Sequence, residues 1–332
     1  MKPKIGITMG DFNGIGPEIV LKAVLSPQIK KICVPILIGS TDVFEYYAKL
    51  LKLKLTLKEV EYIPETNSEA IPIIPVRKFR IPKILPGKLS FEAGRLAAES
   101  VIAAAVLSLN KEIDGMVTAP LAKESIHFDG IPFIGQTEML AAITKTENYA
   151  MLLTHDKMKV ALATIHIPIK KVSEELSARV ITEKLKVLDI SLRKDFAIKA
   201  PKIAVLGLNP HSGENGKIGK EEIETIIPAI KQAKNRKINV TGPFPADGFF
   251  GSGLYKHFDA ILAMYHDQGL IPLKLLGFET GVNFTAGLPI VRTSPDHGTA
   301  FEIAGKGIAN PSSIISAIKE AVKIIKNRKF VK

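Results

Sequence analysis

The sequence contains one cysteine and no tryptophan among its 332 residues. Cys33 lies in the apolar run ICVPILIG, so the sequence predicts a packed core residue and excludes a disulfide within the chain. No apolar run approaches the roughly 18 residues of a membrane span, and MKPKIGITMGD at the start has no apolar stretch of signal-peptide length. We therefore expect a cytoplasmic protein with no membrane partner.

Acidic residues are also fewer than basic ones, with 33 Asp and Glu against 45 Lys and Arg, which gives a formal net charge of +12. A basic balance is found in nucleic-acid-binding proteins, but here the lysines are mostly scattered and the aromatic residues show no RNA-binding signature. The charge is better explained by solubility or by attraction of small anions. We expect a small anionic substrate and no nucleic-acid partner.

Short apolar segments and helical patterns alternate along the chain, which has the length of about two domains. Ser90 is the predicted N-cap of a long alanine-rich helix over 91–109. The alternation predicts an α/β fold with a largely parallel sheet. We expect a first α/β domain at 1–128 plus 290–332 and a second at 129–289. The predicted strands include 4–9, 34–39, 115–117, 160–165, 203–208 and 260–264.

Three of the seven histidines, His166, His211 and His266, follow predicted strands. The carboxyl ends of strands line the ligand crevice of a parallel α/β sheet, so these imidazoles are expected at one edge. Three neutral imidazoles suit zinc and other transition metals, and they leave coordination positions for water or substrate. Their spacing matches no local metal-binding motif, and each histidine taken alone is more simply explained as a structural residue.

Two acids and one arginine accompany these patterns. Asp267 follows His266 and Asp247 lies in the turn GPFPADGFF, where either carboxylate could orient a histidine or transfer a proton, although Asp is common in turns anyway. Arg292 lies in a long irregular run and offers a planar fork for phosphate or carboxylate, or forms a surface salt bridge. The turn GDFNGIGPE either lets backbone approach an anion at a helix start or is a tight structural turn.

Seven segments together carry a resemblance to a known family. They read GITMGDFNGIGPEI, TAPLAKESI, GQTEML, GLNPHSGENGKIGKEE, GPFPADGFF, DAILAMYHDQGLIPLK and GVNFTAGLPIVRTSPDHGTAFEIAGKG, and they run in order from residue 6 to about residue 307. With these segments the chain resembles the 4-hydroxythreonine-4-phosphate dehydrogenases of pyridoxal phosphate synthesis. The segment 54–85 and the C-terminal tail carry little of the resemblance.

The resemblance implies a fold like that of the isocitrate and isopropylmalate dehydrogenases, with two α/β domains and an active-site cleft between them. The second domain would carry the metal ligands and the interface of a homodimer. His166 of one chain would join His211 and His266 of the other chain around a divalent metal. Zinc is the first expectation for that metal, with magnesium, manganese or cobalt as alternatives.

The implied reaction is oxidation of 4-phosphohydroxy-L-threonine at its 3-hydroxyl, with decarboxylation to 3-amino-2-oxopropyl phosphate. Lys274, Asp247 and Asp267 are the candidates for proton transfer. NAD or NADP would be the oxidant, with His297 and Gly298 along its adenine-nucleotide side. The matched substrate-contact positions are Gln136, Thr137, Lys274, Asn283 and Arg292.

One position departs from the family, which usually has GHTE where this chain has GQTE. Gln136 donates and accepts hydrogen bonds but cannot carry a proton charge. A related four-carbon substrate, 4-phosphoerythronate or 4-phosphothreonate, therefore stays open. Acyl transfer, as in the phosphate acetyltransferases of related architecture, is a further alternative that would need coenzyme A and no site of three histidines.

Overall fold

The computed structural model describes residues 1–66, 68–76, 83–125, 135–277 and 279–330. No helix in these ranges is both long enough and apolar enough to cross a membrane. The strands are β1 (Lys4–Thr8), β2 (Val34–Gly39), β3 (Leu57–Glu59), β4 (Ile71–Pro75), β5 (Gly115–Val117), β6 (Ala150–His155), β7 (Met158–Leu162), β8 (Ile203–Leu206), β9 (Val240–Phe244), β10 (Ala260–Ala263), β11 (Val282–Ala286) and β12 (Arg292–Pro295). The α-helices are α1 (Gly16–Leu25), α2 (Pro27–Ile32), α3 (Thr41–Leu50), α4 (Phe91–Leu109), α5 (Gln136–Ile143), α6 (Val172–Glu175), α7 (Ala178–Lys194), α8 (Ile227–Asn235), α9 (Ala246–Gly251), α10 (His266–Gly277) and α11 (Ser312–Phe330).

The chain divides into two compact units, Met1–Glu147 with Leu288–Lys326, and Asn148–Gly287 with the residues from Asn327 onward. We expected the first boundary after residue 128, but α5 packs against α4 and belongs with the first unit. We also expected the whole C-terminal helix in the first domain. Asn327 and Arg328 instead hydrogen-bond to Asp195 and belong with the second unit. Local contacts of these two helices therefore shift both boundaries.

The first unit contains a parallel sheet with the strand order β3–β4–β2–β1–β5–β12. Every residue of β2 is buried, as expected for a strand of a parallel sheet that is covered on both faces. Ser90 accepts a hydrogen bond from the amide of Ala93 and caps α4, which confirms the predicted helix start. β12 pairs with β5 so that Arg292 lies opposite Met116, which brings Arg292 next to Thr118.

The second unit contains a mixed sheet with the strand order β11–β6–β7–β10–β8–β9. β7, β10, β8 and β9 are parallel, whereas β6 pairs antiparallel with both β7 and β11. The sequence analysis did not predict this antiparallel edge. β6 and β7 form a hairpin whose two turn residues are Asp156 and Lys157, and neither is the glycine that commonly marks such a turn in a sequence.

An apolar cluster packs α10 onto the sheet of the second unit. Because α10 is held along its length by buried side chains, its first residue, His266, has a defined place beside the end of β7. The cluster also explains why GPFPADGFF is rich in aromatic residues, since Phe249 is buried in it. Its members from β7, β10 and α10 are Met158, Val160, Leu162, Ile261, Ala263, Leu270 and Leu273.

Candidate active site

Three adjacent parallel strands of the second unit, β7, β10 and β8, end beside one another. His166 follows the end of β7, His211 follows the end of β8, and His266 begins α10 shortly after β10. The three predicted histidines therefore all come from the carboxyl ends of neighbouring strands. Parallel α/β sheets place their ligand sites at this edge.

His166 and His266 lie next to each other. Their ring centroids are 5.7 Å apart and their planes are tilted by 41°. Both side chains line a cavity of about 290 Å³, together with Tyr265, Asp267 and the apolar side chain of Ile169. Two imidazoles thus reach one space that is large enough for a small ligand group.

Asp267 determines which nitrogen of His266 is available to a ligand. Its Oδ1 lies 2.7 Å from Nδ1 of His266. A carboxylate can only accept a hydrogen bond, so Nδ1 carries the proton, and in the neutral imidazole the lone pair lies on Nε2. Metal-binding histidines commonly have their second nitrogen held in this way. This contact places Asp267 where it can orient His266, as the sequence suggested.

Two polar side chains hold the ends of these strands in register. The hydroxyl of Thr164 donates to the carbonyl of Met264 over 2.7 Å. The Gln268 side chain accepts from the Met264 amide over 2.7 Å and donates to the carbonyl of Gly207 over 2.6 Å. Thr164 and Gln268 each lie two residues from a histidine, and the sequence analysis missed both. Polar residues near strand ends are common, so their pairing is visible only in three dimensions.

His211 lies in an unusual backbone segment. The five residues His211–Asn215 all have positive φ, between 42° and 78°. A left-handed conformation costs a non-glycine residue roughly 1–2 kcal/mol, and proteins normally adopt it at single positions. Such a segment persists only where surrounding contacts determine it, and strained backbone of this kind is concentrated at functional sites. His211 itself is exposed at the surface of the chain.

The contacts that hold the start of this segment come largely from Glu222, which was not among the predicted site residues. Its Oε1 accepts from the backbone amides of Leu208 and Asn209 over 2.7 and 2.8 Å. Its Oε2 accepts from the side-chain amide of Asn209 over 2.9 Å. Glu222 is only 2% exposed and begins a π-helical turn that continues to Ile226. Turns of this kind are rare and often occur at functional sites.

The side chains at this edge of the sheet are suited to metal binding. Two imidazoles line one cavity, and a carboxylate sets the tautomer of one of them. Within the described residues of one chain, however, no group of three or more His, Cys, Asp and Glu side chains could hold a metal ion. A single chain therefore brings His166 and His266 together and does not add His211 to them.

The first unit contains a buried cation, Arg292, which is 3% exposed. Its Nε and Nη2 donate to the hydroxyl of Thr118 over 3.1 and 2.8 Å, and Nη2 also donates to Oε1 of Gln136 over 2.8 Å. Burial lowers the pKa of Arg292 to about 10, against the opposing effect of the Glu138 carboxylate, so the guanidinium stays charged at neutral pH. The alternative of a surface salt bridge is wrong, because Arg292 is buried among polar groups.

Gln136 is the first residue of α5, and both ends of its amide are engaged. Its Oε1 accepts from Arg292, and its Nε2 donates to the carbonyl of Ala119 over 3.2 Å. These two contacts fix which way the amide points. Thr137 follows it in the first turn of α5. Gln136 therefore lies beside the buried guanidinium, and Thr137 is the next residue of the same helix.

The remaining predicted residues lie at separate places in the two units. In the second unit, Asn283 is on β11 and its Oδ1 is buried with no hydrogen-bond partner among the described residues. Lys274 is in the last turn of α10, and Asp247 is exposed in the first turn of α9. In the first unit, His297 and Gly298 follow β12, with Nδ1 of His297 3.0 Å from the carbonyl oxygen of Gly298.

The turn GDFNGIGPE is a tight structural turn. Gly10 has a φ of 72°, and a Cβ added to it would lie 2.9 Å from Cβ of Ala119. A Cβ at Gly14 would lie 2.9 Å from the carbonyl oxygen of Thr299, which accepts a hydrogen bond from the amide of Ile15. The glycines thus allow protein backbone to approach protein backbone, and the structure favours this reading of the motif over an anion-binding loop.

Comparison with known proteins was made against families, sequences and solved structures. The family described as pyridoxal phosphate biosynthetic protein PdxA matches residues 31–321. A 4-hydroxythreonine-4-phosphate dehydrogenase of Bacteroides thetaiotaomicron is 43% identical over 98% of this chain and 90% of its own length. A D-threonate 4-phosphate dehydrogenase of Cupriavidus necator is 42% identical over 98% of both chains.

The crystal structure of 4-hydroxythreonine-4-phosphate dehydrogenase from Klebsiella pneumoniae superposes on this chain with a TM-score of 0.87. The two sequences are 38% identical, and the match covers 98% of each chain. The predicted α/β fold class and the resemblance seen in the sequence are both confirmed.

Proposed function

Because the chain belongs to the family of pyridoxal phosphate biosynthetic protein PdxA, we propose that it oxidises 4-phosphohydroxy-L-threonine at its 3-hydroxyl, with decarboxylation to 3-amino-2-oxopropyl phosphate. The product then serves the synthesis of pyridoxine 5'-phosphate. The observation that carries this proposal is the pair of strand-end imidazoles, His166 and His266, at one cavity. A divalent metal bound there supplies Lewis-acid stabilisation of negative charge on oxygen, which alcohol oxidation requires.

The proposed cofactors are NAD or NADP as hydride acceptor and a divalent metal, zinc before magnesium, manganese or cobalt. His166, His211 and His266 hold the metal in a site shared between the subunits of a homodimer. His297 and Gly298 line the nucleotide. A Cβ built at Gly298 meets no heavy atom of the described residues within 4 Å, so its backbone is open to a flat group. In this proposal the enzyme works in the cytoplasm.

Polar and charged side chains of the chain perform the remaining steps. Arg292, with Gln136 and Thr137, binds the anionic groups of the substrate, because a buried guanidinium is strongly stabilised by an anion. The buried Oδ1 of Asn283 accepts a hydrogen bond from a substrate hydroxyl or ammonium group. Candidates for proton donors and acceptors, in the sense of general acid and base groups, are Lys274, Asp247 and Asp267.

A second candidate is oxidation of a related phosphorylated acid, 4-phosphothreonate or 4-phosphoerythronate. Two observations favour it. The relative from Cupriavidus necator is a D-threonate 4-phosphate dehydrogenase, and Gln136 presents an uncharged amide beside Arg292. The amino group of 4-phosphohydroxy-L-threonine is the chemical difference that the site would need to distinguish.

The deciding experiment is NADH formation by the purified protein with 4-phosphohydroxy-L-threonine, 4-phospho-D-threonate and 4-phospho-D-erythronate. Each substrate is assayed before and after metal removal with a chelator, and again after zinc is restored. We expect fast turnover of the first substrate, loss of turnover with the chelator, and recovery with zinc. His211→Ala should abolish turnover, and His257→Ala, which changes an exposed histidine outside the site, should not.

The alternative results are informative. Turnover of 4-phospho-D-threonate or 4-phospho-D-erythronate alone would establish the second candidate and reject the first. Turnover that persists in the chelated protein, or in a metal-replete His211→Ala variant, would reject the metal site. No turnover of any of the three acids would reject the proposed substrate class.

A further inference from the structure

The left-handed segment His211–Asn215 lies within a short 3-10 helical stretch, Pro210–Gly216. The backbone bonds around it are local: the amide of Ser212 donates to the carbonyl of Asn209, and the amide of Ile218 donates to that of Gly213. These bonds close the loop at both ends. They do not by themselves connect the loop to the rest of the second unit.

Glu222 provides that connection, together with the hydroxyl of Ser212, which donates to the carbonyl of Pro243 over 3.5 Å. Its carboxylate accepts three hydrogen bonds, two from the backbone amides of Leu208 and Asn209 and one from the side chain of Asn209. All three donors lie just before His211 in the chain. The carboxylate thus fixes the point at which the chain leaves β8 and enters the left-handed segment.

The same carboxylate also packs against the loop. A Cβ added to Gly213 would lie 2.6 Å from Oε2 of Glu222, and a Cβ added to Gly207 would lie 3.0 Å from Oε1. The two glycines stand on either side of His211 in the chain. Glu222 therefore occupies the space that side chains at these positions would need, and the loop is folded around it.

The buried carboxylate of Glu222 is stabilised by hydrogen bonds and not by an ion pair. Glu222 is buried, and it forms no ion pair with a Lys, Arg or His of the described chain. Buried carboxylates are normally paired or hydrogen-bonded, and here only N–H groups of the loop fulfil that need. Any movement of the loop would remove the N–H partners of the Glu222 carboxylate. The buried carboxylate therefore resists such movement.

We propose that Glu222 is a positioning residue for the metal site: its carboxylate holds the left-handed segment in the conformation that presents His211 to the ion. This inference rests on the proposed function, which assigns His211 as a ligand. Glu222 itself does not contact metal or substrate. Outer-sphere partners of metal ligands typically contribute a factor of 10–100 to affinity, and Glu222 acts on a ligand through the backbone.

The test compares zinc affinity and amide hydrogen exchange in four forms of the full-length dimer. Glu222→Met keeps the length of the side chain and removes both acceptors. Glu222→Gln keeps an oxygen that can accept from Leu208 and Asn209. Glu224→Gln is the matched control, because it removes the same charge from an exposed position two residues away. Zinc affinity is measured by competition with a chromophoric chelator.

We expect Glu222→Met to weaken zinc binding on the order of tenfold or more and to speed hydrogen exchange in the segment 208–215. Glu222→Gln should restore most of both properties, and Glu224→Gln should match the unmodified protein. If Glu222→Met fails to fold, Gly213→Ala perturbs the same contact from the loop side with the carboxylate retained. It should also weaken zinc binding and speed exchange in 208–215.

Two results would overturn the inference: unchanged zinc affinity in a folded Glu222→Met variant, or weakened zinc binding with unchanged exchange in 208–215. Failure of the proposed function looks different. In that case the unmodified protein does not bind zinc, or His211→Ala binds zinc as tightly as the unmodified protein, whatever the residue at 222.

Discussion

Asp11 is a carboxyl group that the first unit keeps away from water. It is 0% exposed, its Oδ1 accepts from the amide of Asn13 over 2.9 Å, and its Oδ2 has no hydrogen-bond partner among the described residues. Burial raises the pKa of Asp11 from 3.8 to about 6, although hydrogen bonds from the backbone at Asn13 and Gly14 oppose the change. The folded protein therefore binds this proton more tightly than the unfolded chain does.

The sign of the pH effect follows from that difference. The stability that proton binding contributes is fully present below the unfolded pKa near 3.8 and is lost as pH rises through the folded pKa near 6. A change of this size corresponds to about 3 kcal/mol. Asp11→Asn cannot titrate, so its unfolding free energy relative to the unmodified protein should rise by about that amount between pH 4 and pH 8.

Denaturant unfolding at a series of pH values measures this difference. Asp42→Asn is a suitable control, because Asp42 is an exposed acid of the same unit. Its unfolding free energy relative to the unmodified protein should stay nearly constant over the same range. A constant difference for Asp11→Asn as well would show that folding does not raise the pKa of Asp11 and would contradict the prediction.

At the scale of elements, the start of α10 is tied to the ends of two strands by the single side chain of Gln268. Gln268→Leu would leave the amide of Met264 and the carbonyl of Gly207 without these partners. Part-buried polar groups left unpaired cost about 1–3 kcal/mol. We expect the unfolding free energy of the second unit to fall by about 2 kcal/mol, together with weaker zinc binding.

Thermal unfolding and the zinc competition assay check this expectation. Gln232→Leu makes the same change at an exposed position of α8, and it should shift stability by no more than about 0.5 kcal/mol. An equal effect of the two substitutions would mean that the link between strand ends contributes nothing beyond the general effect of replacing glutamine by leucine.

The elements also indicate what sequence can predict. The strands before His166, His211 and His266 are continuous apolar runs bounded by polar turns, and such runs are visible without a structure. Their ends were predicted a few residues too late: β7 ends at Leu162 and β8 at Leu206. The antiparallel β6 was not predicted, because its turn with β7 contains no glycine or proline.

The residues that support the candidate site could not be predicted from the sequence, for a different reason. The left-handed segment at His211 depends on Glu222, and the register of the strand ends depends on Gln268. In each case the partners lie on different elements, so no local spacing marks them. Glu222 in particular follows a lysine and a glutamate and looks like an ordinary residue of a helix start. Apart from Arg292, the proposed substrate-contact residues were suggested only by the resemblance to a family.

At the scale of the whole molecule, the proposed site is completed by a second subunit. His166→Ala and His211→Ala should each abolish turnover in a homodimer. If the two histidines of each site come from different subunits, a mixed dimer of the two variants contains one site with both ligands intact. One of the two sites of such a dimer is intact, so we expect purified mixed dimers to have about half of the unmodified activity.

Co-expression of the two variants with different affinity tags measures this recovery in purified mixed dimers. No recovery would place His166 and His211 of each site on the same subunit. The pair His166→Ala and His266→Ala tests whether these two histidines belong to the same site, because their ring centroids lie 5.7 Å apart in one chain. Recovery with that pair would show that the two neighbouring rings serve different sites, and its absence would show that they serve the same one.

The first unit is built from both ends of the sequence, whereas the second is complete at Gly287 apart from a few residues of the last helix. During synthesis, at roughly 5–20 residues per second, the later-numbered unit can therefore close its sheet before the earlier one does. The first unit must wait for β12, which pairs with β5 and carries Arg292. The last strand to be synthesised therefore supplies the buried guanidinium, and a nascent chain that ends before residue 292 would lack this buried cation while retaining all three histidines.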